Sequence, residues 1–197
     1  MKTMKIYALI GTVLVAMLCV SCSKDDDTDA TPAPTTTNLS DNEKAGLLQI
    51  VEIEKLHHDV YLCMAENNQC ELFDDLCSCD KNFMDLLSYK VDIYKLENPL
   101  TERGTGVYAN PDLQTKYNEF ILISDSQLKE FLLFARQMEE YGLAQLETHL
   151  SQVDGNEDIA KLYSDIQEES KCQLEKIIEK IEHRDPVPHP GNLPDDI

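Results

Sequence analysis

The sequence predicts an all-α fold: a bundle of four long helices, with a short extra helix in the long connection between helices two and three. Three observations carry this expectation. Apolar residues recur at three- and four-residue steps through four long stretches, within 47–64, 73–94, 128–146 and 159–181. No segment alternates apolar and polar residues long enough to make a strand. Turn residues separate the stretches at Asn67-Asn68-Gln69, Asn98-Pro99 and Asp154-Gly155-Asn156.

The first helix starts at Leu39-Ser40. Ser40 and Glu43 fit a capping box, in which each side chain satisfies the other's backbone N–H. Leu47, Leu48, Val51, Leu56, Val60 and Met64 form its apolar stripe, and neither Pro nor Gly interrupts from Leu47 to Asn67. The second helix spans Leu72–Leu96, with Phe73, Leu76, Phe83, Leu86, Leu87 and Tyr94 at core spacing. Pro99 ends it, because a residue before proline is steered away from helical geometry. Leu100–Asn110 is a loop containing Gly104 and Gly106. Asn110-Pro111 reads as a cap and a first-turn proline, so Pro111–Ile121 is a short helix. Ser124 and Gln127 mark another start, and the third long helix covers Ser126–Leu150. Gly142 lies inside it, at a cost of about 1 kcal/mol relative to Ala, which points to close packing or a bend. Glu157–His183 is the fourth helix.

The ends of the chain read differently. Lys2 and Lys5 precede an apolar run from Ile6 to Val20. It is short beside the roughly 20 apolar residues of a transmembrane helix, and fits a secretory signal. Ser21 and Cys22 close the run, and Lys24-Asp25-Asp26-Asp27 follows. This resembles a bacterial lipoprotein signal over residues 1–21, with Cys22 taking the lipid. Cys19 stands where leucine is more usual. The acidic run resembles the export tag of some Bacteroidetes lipoproteins displayed on the outer cell surface. Residues 22–38 are rich in Asp, Thr and Pro and are expected to be a flexible tether. Residues 39–184 make the bundle, and 185–197 form a Pro-rich, disordered tail. The expected location is the cell envelope, lipid-anchored at the outer membrane, with the membrane as a partner through Cys22.

The formal net charge is −20. Such a chain repels nucleic acid, and no basic patch with interleaved aromatics is present. Gly-rich phosphate loops, Gly-x-Ser-x-Gly and His-Glu-x-x-His steps are missing from the sequence. Seven cysteines occur. With Cys19 removed and Cys22 lipidated, Cys63, Cys70, Cys77, Cys79 and Cys172 remain. An exported protein permits disulfides, and Cys63, Cys70, Cys77 and Cys79, near the junction of the first two helices, are the candidates. Their pairing stays open. Cys172 reads as a buried apolar thiol. Cys77-Ser78-Cys79 lacks zinc-knuckle spacing.

The stretch EIEKLHHDVY, Glu52–Tyr61, holds Glu54 and His57 three residues apart, hence on one helix face. It resembles the first-helix signature of the ferritin-like family of domain of unknown function 2202, in which a Glu-Glu-Lys-Leu-Ala-Arg-Asp-Val-Tyr-like string opens the domain. The resemblance continues through MDLLSYKVDIYKLENP at 84–99, GVYANPDLQTKYNEF at 106–120, MEEYGLAQLETHL at 138–150 and NEDIAKLYSDIQEES at 156–170. It covers residues 43–183 and implies a ferritin-like four-helix bundle. Working centres of that fold hold two metal ions with a carboxylate from each of two helices and a Glu-x-x-His-type pair from each of the others.

Carried over residue by residue, the resemblance implies a damaged centre. Glu54 matches the first-helix carboxylate. The second-helix glutamate is shortened to Asp80, and its histidine is Phe83. Glu139 and Glu140 match the acidic pair of helix three. The fourth-helix histidine is Gln173, with Ser170 three residues before it. Phe cannot ligate a metal, and an amide is a poor ligand for iron or manganese. The expected function is therefore an envelope lipoprotein whose degenerate ferritin-like bundle acts as a binding or structural module. It has lost the conventional di-iron centre and its enzymatic chemistry, and carries no cofactor. The alternative is a metal-binding or redox protein with a rebuilt iron or manganese site. His57 stands where the family has an inward-facing Ala, and Glu54, His57, Asp80 and Glu140 are the candidate ligands. Without metal, His57 would fill space beside Phe83 and bond to Glu54 or Asp80.

Overall fold

Five helices follow one another: α1 Asp41–Asn67, α2 Glu71–Ile93, α3 Pro111–Phe120, α4 Leu128–Leu150 and α5 Glu157–Arg184. The structure is a computed structural model, and it describes residues 38–67, 70–123 and 128–184. Among these there is no strand. Asn68, Gln69, Ser124, Ser126, Gln127, the lipidation candidate Cys22 and the C-terminal tail lie outside the described residues.

The local signals act as the residue types dictate. Ser40 N–H donates to Glu43 Oε2 at 2.8 Å, and Glu43 N–H donates to Ser40 Oγ at 3.2 Å, closing the capping box of α1. Asn110 caps α3 by accepting from Asp112 N–H at 2.9 Å, with Pro111 in the first turn. The end of α2 departs from the expectation. The helix stops at Ile93, before Pro99 exerts its influence, because Lys95 adopts φ +56°. This left-handed residue lets Lys95 N–H bond to Asp92 and Leu96 N–H bond to Val91, satisfying carbonyls of the last turn.

The helices α1 and α2 pack as an antiparallel pair, as do α4 and α5, and α1 also lies against α4. The register is antiparallel between α1 and α4, where Gly46 meets His149 and Gly142 meets His57. It is antiparallel again between α2 and α5, where Lys90 meets Asp158 and Asp80 meets Gln173. This arrangement makes α1 the innermost helix: every residue from Ile50 to His57 is buried.

Polar side chains on so buried a helix need partners. One stripe of α1 finds them in the long connection. Glu52 Oε1 accepts from Ala109 N–H at 2.5 Å and Asn110 N–H at 3.2 Å. Asp59 Oδ2 accepts from Lys55, from Gly106 N–H at 2.8 Å and from Tyr108 O–H at 2.8 Å. Lys55 also donates to the Gly104 carbonyl at 2.9 Å, and its ammonium lies 4.8 Å from the centre of the Tyr108 ring. The connection is thus pinned to α1. From there an aromatic run, Tyr108–Tyr117–Phe120–Phe131, carries the core through α3 into α4.

The candidate cysteines are free thiols in the structure. Among the described residues no disulfide joins Cys63, Cys70, Cys77 or Cys79. They face different elements: Cys77 Sγ sits 3.2 Å from His58 Nδ1 on α1, while Cys79 bonds to Glu169 on α5. Two residues along a helix turn a side chain onto another face. Burial raises the Cys77 thiol to about 11 and the Cys79 thiol to about 12, so both stay protonated. Cys172 is exposed, not buried.

Candidate metal centre

A second polar stripe of α1, Glu54, His57 and Tyr61, points to the middle of the bundle, away from the connection. Asp80 of α2 and Glu139 of α4 meet it there, and all five residues are at most 2% exposed. Single donor and acceptor atoms of Glu54, His57 and Asp80 lie within 4.8 Å of one another. Glu139 Oε1 stands 3.7 Å from His57 Nδ1 and accepts the Tyr61 hydroxyl at 2.6 Å.

His57 and Asp80 are each oriented by a bond made behind them. His57 Nε2 lies 3.2 Å from the Met138 carbonyl, so Nε2 carries the proton and Nδ1 presents a lone pair inward. Asp80 Oδ1 accepts from Gln173 Nε2 at 2.9 Å. The inward atoms Glu54 Oε1, His57 Nδ1, Asp80 Oδ2 and Glu139 Oε2 have no hydrogen-bond partner. Gly142 makes the cluster possible. A Cβ at that position would stand 2.9 Å from His57 Cε1, closer than carbon atoms tolerate. The internal glycine of α4 is therefore a close-packing device.

Electrostatics sharpen the picture. Burial, and then the carboxylate of Glu139, push Glu54 well above the usual carboxylate range. Burial, then Glu139 and Glu54, do the same for Asp80, against the opposing bond from Gln173. Burial raises Glu139 to about 8, opposed by the Tyr61 bond. Burial also lowers His57 to about 4, keeping it neutral. The formal charges acting on Asp80 are all carboxylates. Removing a carboxylate from water costs on the order of several kcal/mol unless a countercharge faces it. Three carboxyls and one neutral imidazole converge here, so the cluster either keeps protons or takes a cation.

Of the four ligand candidates read from the sequence, the structure brings together Glu54, His57 and Asp80. It does not bring in Glu140. That side chain is 46% exposed and pairs with Arg136 Nε at 2.7 Å. Its neighbour Glu139 occupies the core position. The acidic pair straddles the boundary of the apolar stripe of α4, and Met138 and Gly142 set the inward face. His57 also departs from the expected alternative, because it bonds across to α4 instead of to Glu54 or Asp80.

Comparisons with known proteins bear on the fold and the family. An uncharacterised protein of Methanocaldococcus jannaschii, MJ0754, is 26% identical over 140 residues, which span 71% of this chain and 75% of the relative. The crystal structure of the hypothetical protein MJ0754 superposes with a TM-score of 0.73 at 24% identity, covering 77% of this chain and 86% of that one. That likeness gives the all-helical fold. The family described as uncharacterised protein domain DUF2202 matches residues 43–194, beyond the end of α5 into the Pro-rich segment. With most of its length matched, the chain belongs to the DUF2202 family.

Proposed function

We propose that this protein is a ferritin-like bundle that holds one divalent cation, iron or manganese, in its core. The observation that carries the reading is the convergence of buried, unpartnered Glu54, His57 and Asp80 from two helices, with Glu139 of α4 beside His57. Three oxygens and one nitrogen form a hard-to-borderline donor set, suited to those ions over softer ones. An octahedral ion places opposite ligands roughly 4 Å apart, so the 4.8 Å spread of the Glu54, His57 and Asp80 atoms needs only a small contraction. The antiparallel register of neighbouring helices, with a long connection between α2 and α4, supports the ferritin-like description. When bound, the cation supplies the countercharge that the three carboxylates lack. Ser21-Cys22 supports attachment to the envelope through a lipid on Cys22.

The test is metal retention. The purified protein is challenged with ferrous iron, manganese and zinc, then desalted. One equivalent retained by the parent, and lost by Glu54→Gln and by His57→Ala with helical content intact, is the expected result. An empty protein, or retention indifferent to both substitutions, sinks the reading.

A second reading, a binding module without metal, has one observation in its favour. Leu86, Tyr89 and Ile93 form an exposed apolar stripe on α2, at 50%, 62% and 37% exposure. If the core retains no metal, that stripe is the surface to examine for a partner.

A further inference from the structure

The walls around the cluster differ. Toward α4, the His57–Met138 bond and Ile53 against Gly142 close the core. Within the α1–α2 interface, Tyr61 stacks on Phe73 at 6.4 Å between ring centres. The seam between α2 and α5 is built otherwise. These helices approach each other at fewer points than α1 with α2 or α4 with α5, and polar side chains bridge them. Glu169 and Cys79, both half-buried, bond to each other at the outer edge. Ser170 and Gln173 of α5 are buried, and Gln173 bonds to Asp80. The second oxygen of Asp80 is one of the unpartnered atoms of the cluster. Polar side chains thus stand at both the outer edge and the inner end of this seam.

We propose that the α2–α5 seam admits the cation, with Glu169 as the carboxylate at its mouth and Asp80 as the acceptor behind it. This rests on the cation reading above. A divalent ion sheds its water only where oxygen ligands replace it. Glu169 is close enough for its charge to act on Asp80, so the two carboxylates form successive steps. The hydrogen bond from Gln173 to Asp80 crosses the seam at its inner end. The outer groove between α4 and α5 is less suited. Of its two carboxylates, Glu140 is tied to Arg136, Lys171 adds a positive charge in the same groove as Glu147, and Leu143 and Ala144 contribute apolar surface.

The experiment follows loading of the full chain with cobalt(II) by its visible absorbance after rapid mixing, and separately measures occupancy at equilibrium. Glu169→Gln is expected to slow loading at least fivefold, and to slow release equally, while one equivalent still binds with unchanged affinity. Glu140→Gln loads at the parent rate. The seam is rejected if Glu169→Gln loads as fast as the parent, if Glu140→Gln is the slower variant, or if Glu169→Gln loses equilibrium occupancy. A parent that takes up no cobalt rejects the cation reading and the seam together. A parent that loads normally beside an unaffected Glu169→Gln rejects the seam alone.

Discussion

Tyr61 gives its hydroxyl hydrogen to Glu139 at 2.6 Å inside the bundle, where both side chains are sealed from solvent. Burial pushes the Tyr61 phenol well above its ordinary range, so it acts as a fixed donor. It is the hydrogen bond that favours the ionised form of Glu139. Tyr61→Phe leaves a buried oxygen without its donor and is expected to cost about 1–3 kcal/mol of stability. Urea denaturation of the metal-free protein measures it. In a Glu139→Leu background the loss should shrink, because the acceptor is already gone. A loss of the same size in both backgrounds would assign the effect to packing.

The buried carboxyls set the pH dependence of the metal-free protein. Glu139 titrates near 8 when folded, against an ordinary value of 4.5, so the folded state holds its proton longer. Its contribution is full below the unfolded value and disappears as pH rises through about 8. Glu54 and Asp80 are raised as well and act in the same direction. His57 works the opposite way but at lower pH: its folded value is about 4 against 6.5, so it favours folding as pH rises across that interval. Above pH ~6.5 the carboxyls dominate, and the raised thiols of Cys77 and Cys79 act in the same direction toward the upper end. The melting temperature of chelator-treated protein should therefore fall between pH 6.5 and 8.5, and Glu139→Gln should flatten the fall. A saturating divalent cation should oppose it. Ligand at a hundredfold excess over Kd adds about 2.7 kcal/mol. A melting temperature that rises across this interval would contradict the assignment.

Gly142→Ala separates stability from binding. Alanine is the better helix former by about 1 kcal/mol, but its Cβ would meet His57 Cε1 at 2.9 Å. The imidazole is held by Met138 on the same helix, so it cannot turn away without losing that bond. The two effects on stability largely offset, within about 1 kcal/mol. The displacement of Nδ1 has no such compensation, and cobalt affinity should fall at least tenfold. Isothermal titration beside a melting curve distinguishes the two, and unchanged affinity would show that His57 is not a ligand.

Helix starts and stops were legible because caps and prolines act locally, as Ser40–Glu43 and Asn110-Pro111 demonstrate. The end of α2 was not, because Lys95 carries no sequence mark of a left-handed residue. Within the cluster, Glu54, His57 and Asp80 followed from spacing on α1 and from the family pattern. The choice between Glu139 and Glu140 turned on about 100° of helix rotation, which adjacent carboxylates cannot reveal. The phase was available in Met138 and Gly142, since both flank the inward face. The role of Asp59 was hidden for a different reason. Its partners lie 47 and 49 residues away, in a loop whose path no local signal fixes.

That pinning yields the last expectation. Lys55–Asp59 and Lys81–Asp85 are both i,i+4 pairs on helices, with the same residue types in the same direction. They differ in burial. Lys55 and Asp59 are 6% and 5% exposed, whereas Lys81 and Asp85 are 53% and 60% exposed. In the open pair, water screens the charges and the side chains lose mobility on pairing, so Asp85→Ala should cost no more than about 0.5 kcal/mol. Asp59→Ala leaves Lys55 buried beside two donors, Gly106 N–H and Tyr108 O–H, that have lost their acceptor. A broken buried pair costs about 3–5 kcal/mol. The loss should also loosen the connection, so the Gly106 amide should exchange with solvent faster than amides in the middle of α1. Urea denaturation and hydrogen exchange read the two effects separately. Equal, small losses in both variants would mean that the connection is held by its aromatic run and not by Asp59.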